Sequence, residues 1–287
     1  MIVRSPTCFS TAWSQKLVVP QPSVTPHYSP PPPNFYSSSV SHPSNNFQAS
    51  YYLILIKLCE ELNFQLAEEF FWYNPAKLPS PIEWVNKRKI RAKDSVNTVW
   101  WFSKNDFPKA DITRVLVPYS ERMKKLQEDP EKFYKPKLRP SGHDISANFA
   151  TDNGGAIPSN LLQIPNTESN SQYIQICKAL SLDTHPARFP VKLPDFFIQF
   201  LTEPGDMVLD IFAGSNTTGL AAETAQRQWM AFEKNPAYLA ASAFRFLEKD
   251  VDIGRASVLY SDLMELQETV HIEQVAAATQ HRLFEVI

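Results

Sequence analysis

The stretch MVLDIFAGSNTTGLAAETAQRQWMAFEKNPAYLAASAFRFLEKD, residues 207–250, constrains the fold of this chain more than any other part. An apolar run (207–212) ends in a turn of small residues and passes into an alanine-rich helical stretch. A second apolar run (229–233) follows, and then a second helical stretch. Strand, turn, helix and strand make a βαβ unit, which requires a parallel sheet with helices on its faces. The predicted class is therefore α/β. Residues 193–206 before it read as an amphipathic helix stopped by Pro204-Gly205.

A turn of small residues at the carboxyl end of a first strand lets a ligand approach the backbone closely. Gly214 and Ser215 add little bulk, and the start of the next helix offers free N–H groups to an anionic group. Glu233 lies 23 residues after Asp210, at the end of the second strand, where a carboxylate can accept hydrogen bonds from both ribose hydroxyls of a nucleoside. The same spacing also fits an ordinary tight βα turn, with Glu233 a solvated acid at a helix start. The dinucleotide pattern G-x-G-x-x-G is absent, since the turn reads Ala213-Gly214-Ser215-Asn216-Thr217-Thr218-Gly219. A nicotinamide or flavin cofactor is thus disfavoured, and a nucleoside without phosphates fits better.

The rest of the 287 residues is uneven. Residues 1–50 hold nine of the 24 prolines, eleven serines and only two charges, Arg4 and Lys16, and they read as a disordered or degenerate Ser/Pro-rich segment. Ordered structure is expected from Tyr51, with a helix over 51–63, strands over 67–75 and 97–104, and short strands at 115–119 and 160–166. No apolar run reaches the roughly 18–20 residues of a membrane helix. Cys8, Cys59 and Cys177 are far apart, so neither a zinc site nor a disulfide framework is expected, and a reducing cytoplasm fits. The net charge of −2 conceals polarity: residues 87–139 hold fifteen Lys/Arg against seven Asp/Glu (+8), and residues 201–287 hold six against thirteen (−7). Lys87, Arg88, Lys89, Arg91 and Lys93, flanked by Trp84, Trp100 and Trp101, are a candidate phosphate-contacting cluster; a solvated basic loop is the competing reading. His143-Asp144 and the Gly154-Gly155 turn are read as ordinary loop features, and His185, before a proline, as a residue that caps or orients a loop.

Four blocks carry a family resemblance. GDMVLDIFAGSNTTG (205–219) resembles the S-adenosylmethionine-binding motif of amino-type DNA methyltransferases, which methylate cytosine N4 or adenine N6. THPARFPVKLPDFFIQFLTEPGD (184–206) resembles the segment that precedes that motif in the beta-ordered members. FFWYNPAKLPSPIEWVNKRKIRAKDSVNTVWWFSK (70–104) and RPSGHDIS...DNGGAIPSN (139–160) resemble the cytosine-N4 branch. The resemblance runs from about Tyr51 to Lys249.

The resemblance implies a Rossmann-like, three-layer αβα methyltransferase fold with a mixed sheet. It places Asp210, Phe212, Gly214, Ser215, Asn216 and Thr217 along S-adenosylmethionine, Glu233 on its ribose, and Phe189 and Pro190 nearby. It further implies transfer to the exocyclic amine of an extruded base in double-stranded DNA, cytosine N4 above adenine N6. No metal and no covalent intermediate are required, and the setting is a restriction–modification system in a bacterial cytoplasm, on the nucleoid, with a cognate endonuclease. By this division residues 51–119 are the remnant of the catalytic half, 120–160 the DNA-facing target-recognition region, 184–250 the cofactor half and 251–287 a helical tail.

Two departures stand out. Asp210-Ile211-Phe212 replaces the family's Asp-Pro-Phe. The family's catalytic loop, Ser-Pro-Pro-Tyr or Ser-Pro-Pro-Phe after a hydrophobic strand, has its sole counterpart in Ser29, Pro30 and Pro31 of a five-residue Ser-Pro tract, preceded by proline-rich sequence that does not suit a buried strand. The catalytic residues are therefore left unassigned, with Ser29, Pro30 and Pro31 as candidates. Two further readings follow: a remnant that binds only cofactor or DNA, and a split enzyme completed by a second chain.

Overall fold

The computed structural model describes residues 2–4, 16–18, 46–133, 150–265, 270–272 and 282–284. In chain order the elements begin with β1 (Ile2–Arg4), β2 (Lys16–Val18), α1 (Asn46–Glu60), β3 (Gln65–Tyr73) and β4 (Val96–Ser103). Two short helices, α2 (Glu121–Glu128) and α3 (Pro130–Phe133), lead to β5 (Leu161–Gln163), α4 (Gln172–Ala179) and α5 (Lys192–Leu201). Next come β6 (Met207–Asp210), α6 (Thr217–Thr224), β7 (Gln228–Phe232) and α7 (Pro236–Ser242), extended by a 3-10 turn over Ala243–Phe246. The chain continues with α8 (Ile253–Glu265), β8 (Val270–Ile272) and β9 (Arg282–Phe284).

The βαβ unit read from the sequence is present as β6-α6-β7, its strands parallel with Met207 opposite Gln228 and Asp210 opposite Ala231. Two three-residue strands from within residues 1–50 flank it, β1 antiparallel on β6 and β2 parallel on β7, so the four-stranded sheet runs β1-β6-β7-β2 and is mixed. A second mixed sheet, β4-β3-β5, pairs β3 with β4 antiparallel and with β5 parallel. Among the described residues no strand joins the two sheets.

Helix α5 joins them instead. Its residues Ile198 and Phe197 point to different clusters, because successive positions on a helix turn by about 100°. Ile198 packs with Val208, Ala222, Trp229 and Leu239 of the first sheet and its helices. Leu193, Phe197 and Phe200 pack with Phe70 and Leu162 of the second. The Phe70 ring meets Phe197 edge to face at 5.1 Å, a geometry that aligns the positive ring edge with a negative ring face. Pro194, in the first turn of α5, removes an N–H that has no helical partner there. Where the helix stops, the carbonyl of its C-cap Thr202 accepts from Nη2 of the buried Arg227 (2.8 Å) and from Nη1 of Arg114 (2.7 Å), and Lys109 pairs with Asp206 in the turn beyond (2.7 Å).

Four details differ from the sequence reading. The first described helix begins at Asn46, ahead of Tyr51. Residues 115–119 are not a strand: a 3-10 turn ends at Val115, and Val117 makes a lone bridge to Ala156 where a polar stretch takes over. In the described part of the tail the helix runs to Glu265, and Val270–Ile272 and Arg282–Phe284 pair as antiparallel strands, the first carrying β-branched Val270 and Ile272 and the second the aromatic Phe284. Helix α4 was not foreseen, because its apolar residues Tyr173, Ile176 and Cys177 are spaced among polar ones in a short run.

Candidate functional site

The turn after β6 is built around two residues in the left-handed region. Gly214 has φ +54° and Asn216 φ +53°. Asn216 is fully buried and is the N-cap of α6, its Oδ1 accepting from the Gly219 N–H at 3.0 Å, the contact that makes asparagine a favoured cap. Ser215 and Thr217 are buried beside it with their hydroxyls 3.3 Å apart. Asp210, the last residue of β6, accepts the Phe212 N–H on Oδ1 (3.1 Å), and this bends the chain so that the Phe212 ring stands 85% exposed.

Glu233, just past the end of β7, reaches across to this turn. Its Oε2 accepts the Gly214 N–H at 2.8 Å and its Oε1 accepts the Asn235 N–H at 2.9 Å. One carboxylate thus ties the turn after β6 to the turn after β7, and each oxygen keeps further acceptor capacity for a ligand hydroxyl. A cavity of about 260 Å³ lies on the other side of Asn235, lined by Ser181, Leu182, Asp183, Asn235, Ala237, Tyr238 and Tyr260 and by no residue of the 210–217 turn.

The structure brings Asp210, Phe212, Gly214, Ser215, Asn216, Thr217 and Glu233 into one turn-and-carboxylate arrangement. It treats the 184–190 stretch differently. Phe189 packs against the Phe70 and Phe197 cluster, and Pro190 is buried with its carbonyl accepting the Leu193 N–H at 3.0 Å, which starts α5. The residue of that stretch that meets the turn is His185. A Cβ on Gly214 would come within 3.0–3.2 Å of three atoms of the His185 ring, so the imidazole crowds a position whose φ already favours glycine. His185 stands edge-on to Tyr238 at 4.8 Å and donates its backbone N–H to the Tyr173 hydroxyl at 2.9 Å. Its Nδ1 and the Asn216 Nδ2 are buried polar atoms without a hydrogen-bond partner among the described residues, both beside the turn. These unpaired atoms, the spare lone pairs of Glu233 and the exposed Phe212 ring fit a nucleoside bearing polar substituents.

The basic cluster is divided by its surroundings. Lys87 and Arg88 both pair with Glu83, at 3.2 and 3.0 Å, and Arg88 lies over the Trp84 ring at 5.0 Å. The two cations hold the Glu83 carboxyl below the usual carboxylate range, with the Arg88 hydrogen bond the main cause. Lys93 donates to the carbonyls of Pro75 (3.3 Å) and Lys77 (3.2 Å), which staples the loop. Lys89, at φ +56°, and Arg91 are exposed and form no ion pair among the described residues. Trp100 and Trp101 belong to β4: Trp100 donates to Glu69 (3.0 Å) and stacks on Tyr51, and Trp101 packs on Phe200. Ser29, Pro30, Pro31, His143 and Asp144 lie outside the described residues.

With this arrangement in view, the comparisons with known proteins fall into place. The sequence pattern of the DNA methylase family of the N6/N4 type matches residues 34–244, and the chain belongs to that family. Among its relatives, the type II methyltransferase M.PvuII of Proteus hauseri is 63% identical over 211 residues, which is 74% of this chain and 63% of the relative. The type II methyltransferase M.BglI of Bacillus subtilis is 47% identical over 60 residues, 21% of this chain and 17% of the relative. The solved structure described as PvuII DNA methyltransferase (cytosine-N4-specific) superposes with a TM-score of 0.60 at 48% identity, covering 76% of this chain and 64% of that one. The fold is thus the Rossmann-like, three-layer αβα methyltransferase fold. The chain spans a little under two thirds of the length of M.PvuII.

Proposed function

We propose that this chain is the cofactor-binding and DNA-facing part of a site-specific DNA methyltransferase that uses S-adenosylmethionine to methylate the exocyclic amine of cytosine N4. The observation that carries this reading is the Glu233 carboxylate hydrogen-bonded to the Gly214 N–H, which joins the two strand-end turns around one seat. On this reading Glu233 holds the ribose hydroxyls, and Asp210, Phe212 and the turn from Gly214 to Thr217 form the floor beneath the nucleoside. When bound, S-adenosylmethionine supplies a methyl group on a sulfonium, activated for direct displacement. The protein's task is then mostly to orient and to exclude water, since holding an amine in line with that methyl needs no covalent help from a side chain.

Double-stranded DNA is the partner that suits the exposed cations Lys89 and Arg91, with Lys87, Arg88 and Lys93 shaping the loop that presents them. The division proposed is a catalytic-half remnant over 51–119, a DNA-facing region over 120–160 and a cofactor half over 184–250. The setting is a type II restriction–modification system in a bacterial cytoplasm, on the nucleoid and beside a cognate endonuclease. Phe189 and Pro190 act through the packing of α5, with His185 the member of their stretch nearest the turn.

A second reading is favoured by α1. Its described side chains half-bury one stripe (Tyr51, Leu55, Leu58, Cys59), while Tyr52, Leu53, Ile54 and Ile56 are exposed. Four large apolar side chains exposed on one helix, beside the exposed Lys57 and Glu60, form a surface suited to being covered. This fits an enzyme completed by a second polypeptide that supplies the strand and catalytic loop. The test is transfer of tritiated methyl from S-adenosylmethionine to duplex DNA, followed by digestion and chromatography of the nucleosides. Label in N4-methylcytosine from the chain alone supports the first reading; label only after addition of a polypeptide carrying the remaining third of the M.PvuII length supports the second. Label in N6-methyladenine, or none in either case, overturns the cytosine-N4 assignment or the activity itself.

A further inference from the structure

Arg245 sits in the 3-10 turn after α7 with its side chain 1% exposed, and nothing in the family motifs assigns it a task. Its Nε donates to the Ser215 carbonyl at 2.6 Å and its Nη2 to the Ser215 hydroxyl at 3.1 Å. Its third edge reaches Glu168 at 3.3 Å, and its plane lies over the Tyr173 ring at 4.8 Å. Burial is the main influence on this guanidinium and pushes its pKa down, with Glu168 opposing. A desolvated arginine is costly and is retained where its fixed fork of donors meets matching acceptors.

The acceptors here belong to one residue, and that residue lies between the two left-handed positions Gly214 and Asn216. Glycine adopts that region freely, but at Asn216 it persists only when the surroundings hold it. Besides the Thr217 hydroxyl, Ser215 is held by the two-pronged contact from Arg245. Through Tyr173, whose hydroxyl accepts the His185 N–H, the same guanidinium also touches the segment that packs under Gly214. We propose that Arg245 is a positioning residue: it orients the Ser215–Asn216 peptide so that the Gly214 N–H meets Glu233 and the carboxylate presents its open lone pairs to the cofactor. Glu168 keeps the guanidinium in place from the far side. The inference rests on the reading of the 210–217 turn as the cofactor seat.

The experiment uses the full chain, Arg245→Lys and Ser215→Ala, each checked for folding by circular dichroism at the temperature of the assay. Lysine keeps the charge but loses the fork; alanine keeps the fork's hold on the carbonyl and loses the hydroxyl arm. With seven glycines in the chain, 15N-glycine labelling gives a sparse spectrum in which the Gly214 amide, hydrogen-bonded to a carboxylate, is a direct reporter of the turn. The expected result is a displaced Gly214 resonance in Arg245→Lys with the Gly254 resonance unmoved, and S-adenosylmethionine binding weakened at least tenfold. Ser215→Ala shifts the same resonance less, and the double variant binds no more weakly than Arg245→Lys alone. An unmoved Gly214 resonance together with wild-type affinity, even with a lowered melting temperature, overturns the proposal and leaves Arg245 a packing residue. If the wild-type chain does not bind S-adenosylmethionine, the cofactor reading fails and the Gly214 resonance alone decides whether Arg245 orients the turn. If Arg245→Lys does not fold, Ser215→Ala decides: an unmoved resonance and unchanged affinity overturn the proposal.

Discussion

Two residues in the turn after β6 have opposite tolerances. Asn216 sits at φ +53° and caps α6 through Oδ1, so alanine there loses about 1 kcal/mol of capping and pays a further ~1 kcal/mol for a left-handed backbone. Glycine removes the cap but accepts the backbone, and a lost cap replaced by glycine costs a few tenths of a kcal/mol by the usual scale, roughly. Urea midpoints at unchanged slope are therefore expected to fall further for Asn216→Ala than for Asn216→Gly; the reverse order would mean that neither strain nor cap governs this position. At Gly214 no substitution is mild, because a Cβ meets the His185 ring. The small residues of this turn were legible as a ligand seat because their chemistry is local and in sequence order. His185 was legible only as a residue that caps or orients a loop and Arg245 not at all, since their contacts to Gly214 and Ser215 are made by side chains from other elements and no local pattern records them.

At the scale of elements, α4 and α5 carry the packing that holds the site. Tyr173 of α4 is fully buried, and burial pushes its pKa above the usual 10, against the lowering effect of the bond from the His185 N–H. Cys177, one turn on, moves up for the same reason. Groups whose folded values are raised contribute stability that is complete below the unfolded value and is lost as pH rises through the folded one. For Tyr173 the window begins at about pH 10. Between pH 8 and pH 10.5 the wild type is expected to lose more stability to urea than Tyr173→Phe does, with late tyrosinate absorbance in the wild type; parallel losses would place the alkaline sensitivity elsewhere. Helix α5 gives Phe197 and Phe200 to the second core, so Phe200→Ala is expected to cost about 3–5 kcal/mol. A loss under 1 kcal/mol in chemical denaturation would show that the two sheets do not depend on it. The amphipathic spacing of α5 and the short apolar runs of β6 and β7 were readable in the sequence because each is a local pattern of apolar residues. The division of strands between two sheets was not, since strand order is set by long-range pairing that no local pattern records.

For the molecule as a whole, charge and coverage decide what the chain can do with DNA. Lys87 and Arg88 are already paired with Glu83, whereas Lys89 and Arg91 are exposed without an ion pair among the described residues. In salt titrations of DNA binding, Lys89→Ala and Arg91→Ala are each expected to lower the slope of log K against log salt by about 0.9, and Lys87→Ala by clearly less. Equal slopes for all three would mean that the loop does not lie on phosphate. The basic loop stood out in the sequence as a charge run, but which of its five cations is free depended on Glu83 and on two backbone carbonyls, none of which charge counting singles out. The exposed apolar sides of α1, on a chain that spans 63% of the length of M.PvuII, bear on whether methyl transfer needs a second polypeptide; they leave the cofactor seat intact. The seat is accordingly the most direct place to test the account. The measurement is calorimetric binding of S-adenosylmethionine to the purified chain and to Glu233→Ala. The account predicts that the wild type binds and that Glu233→Ala binds at least tenfold more weakly, about 1.4 kcal/mol. Equal affinity in the two proteins, or no binding to either, would contradict it.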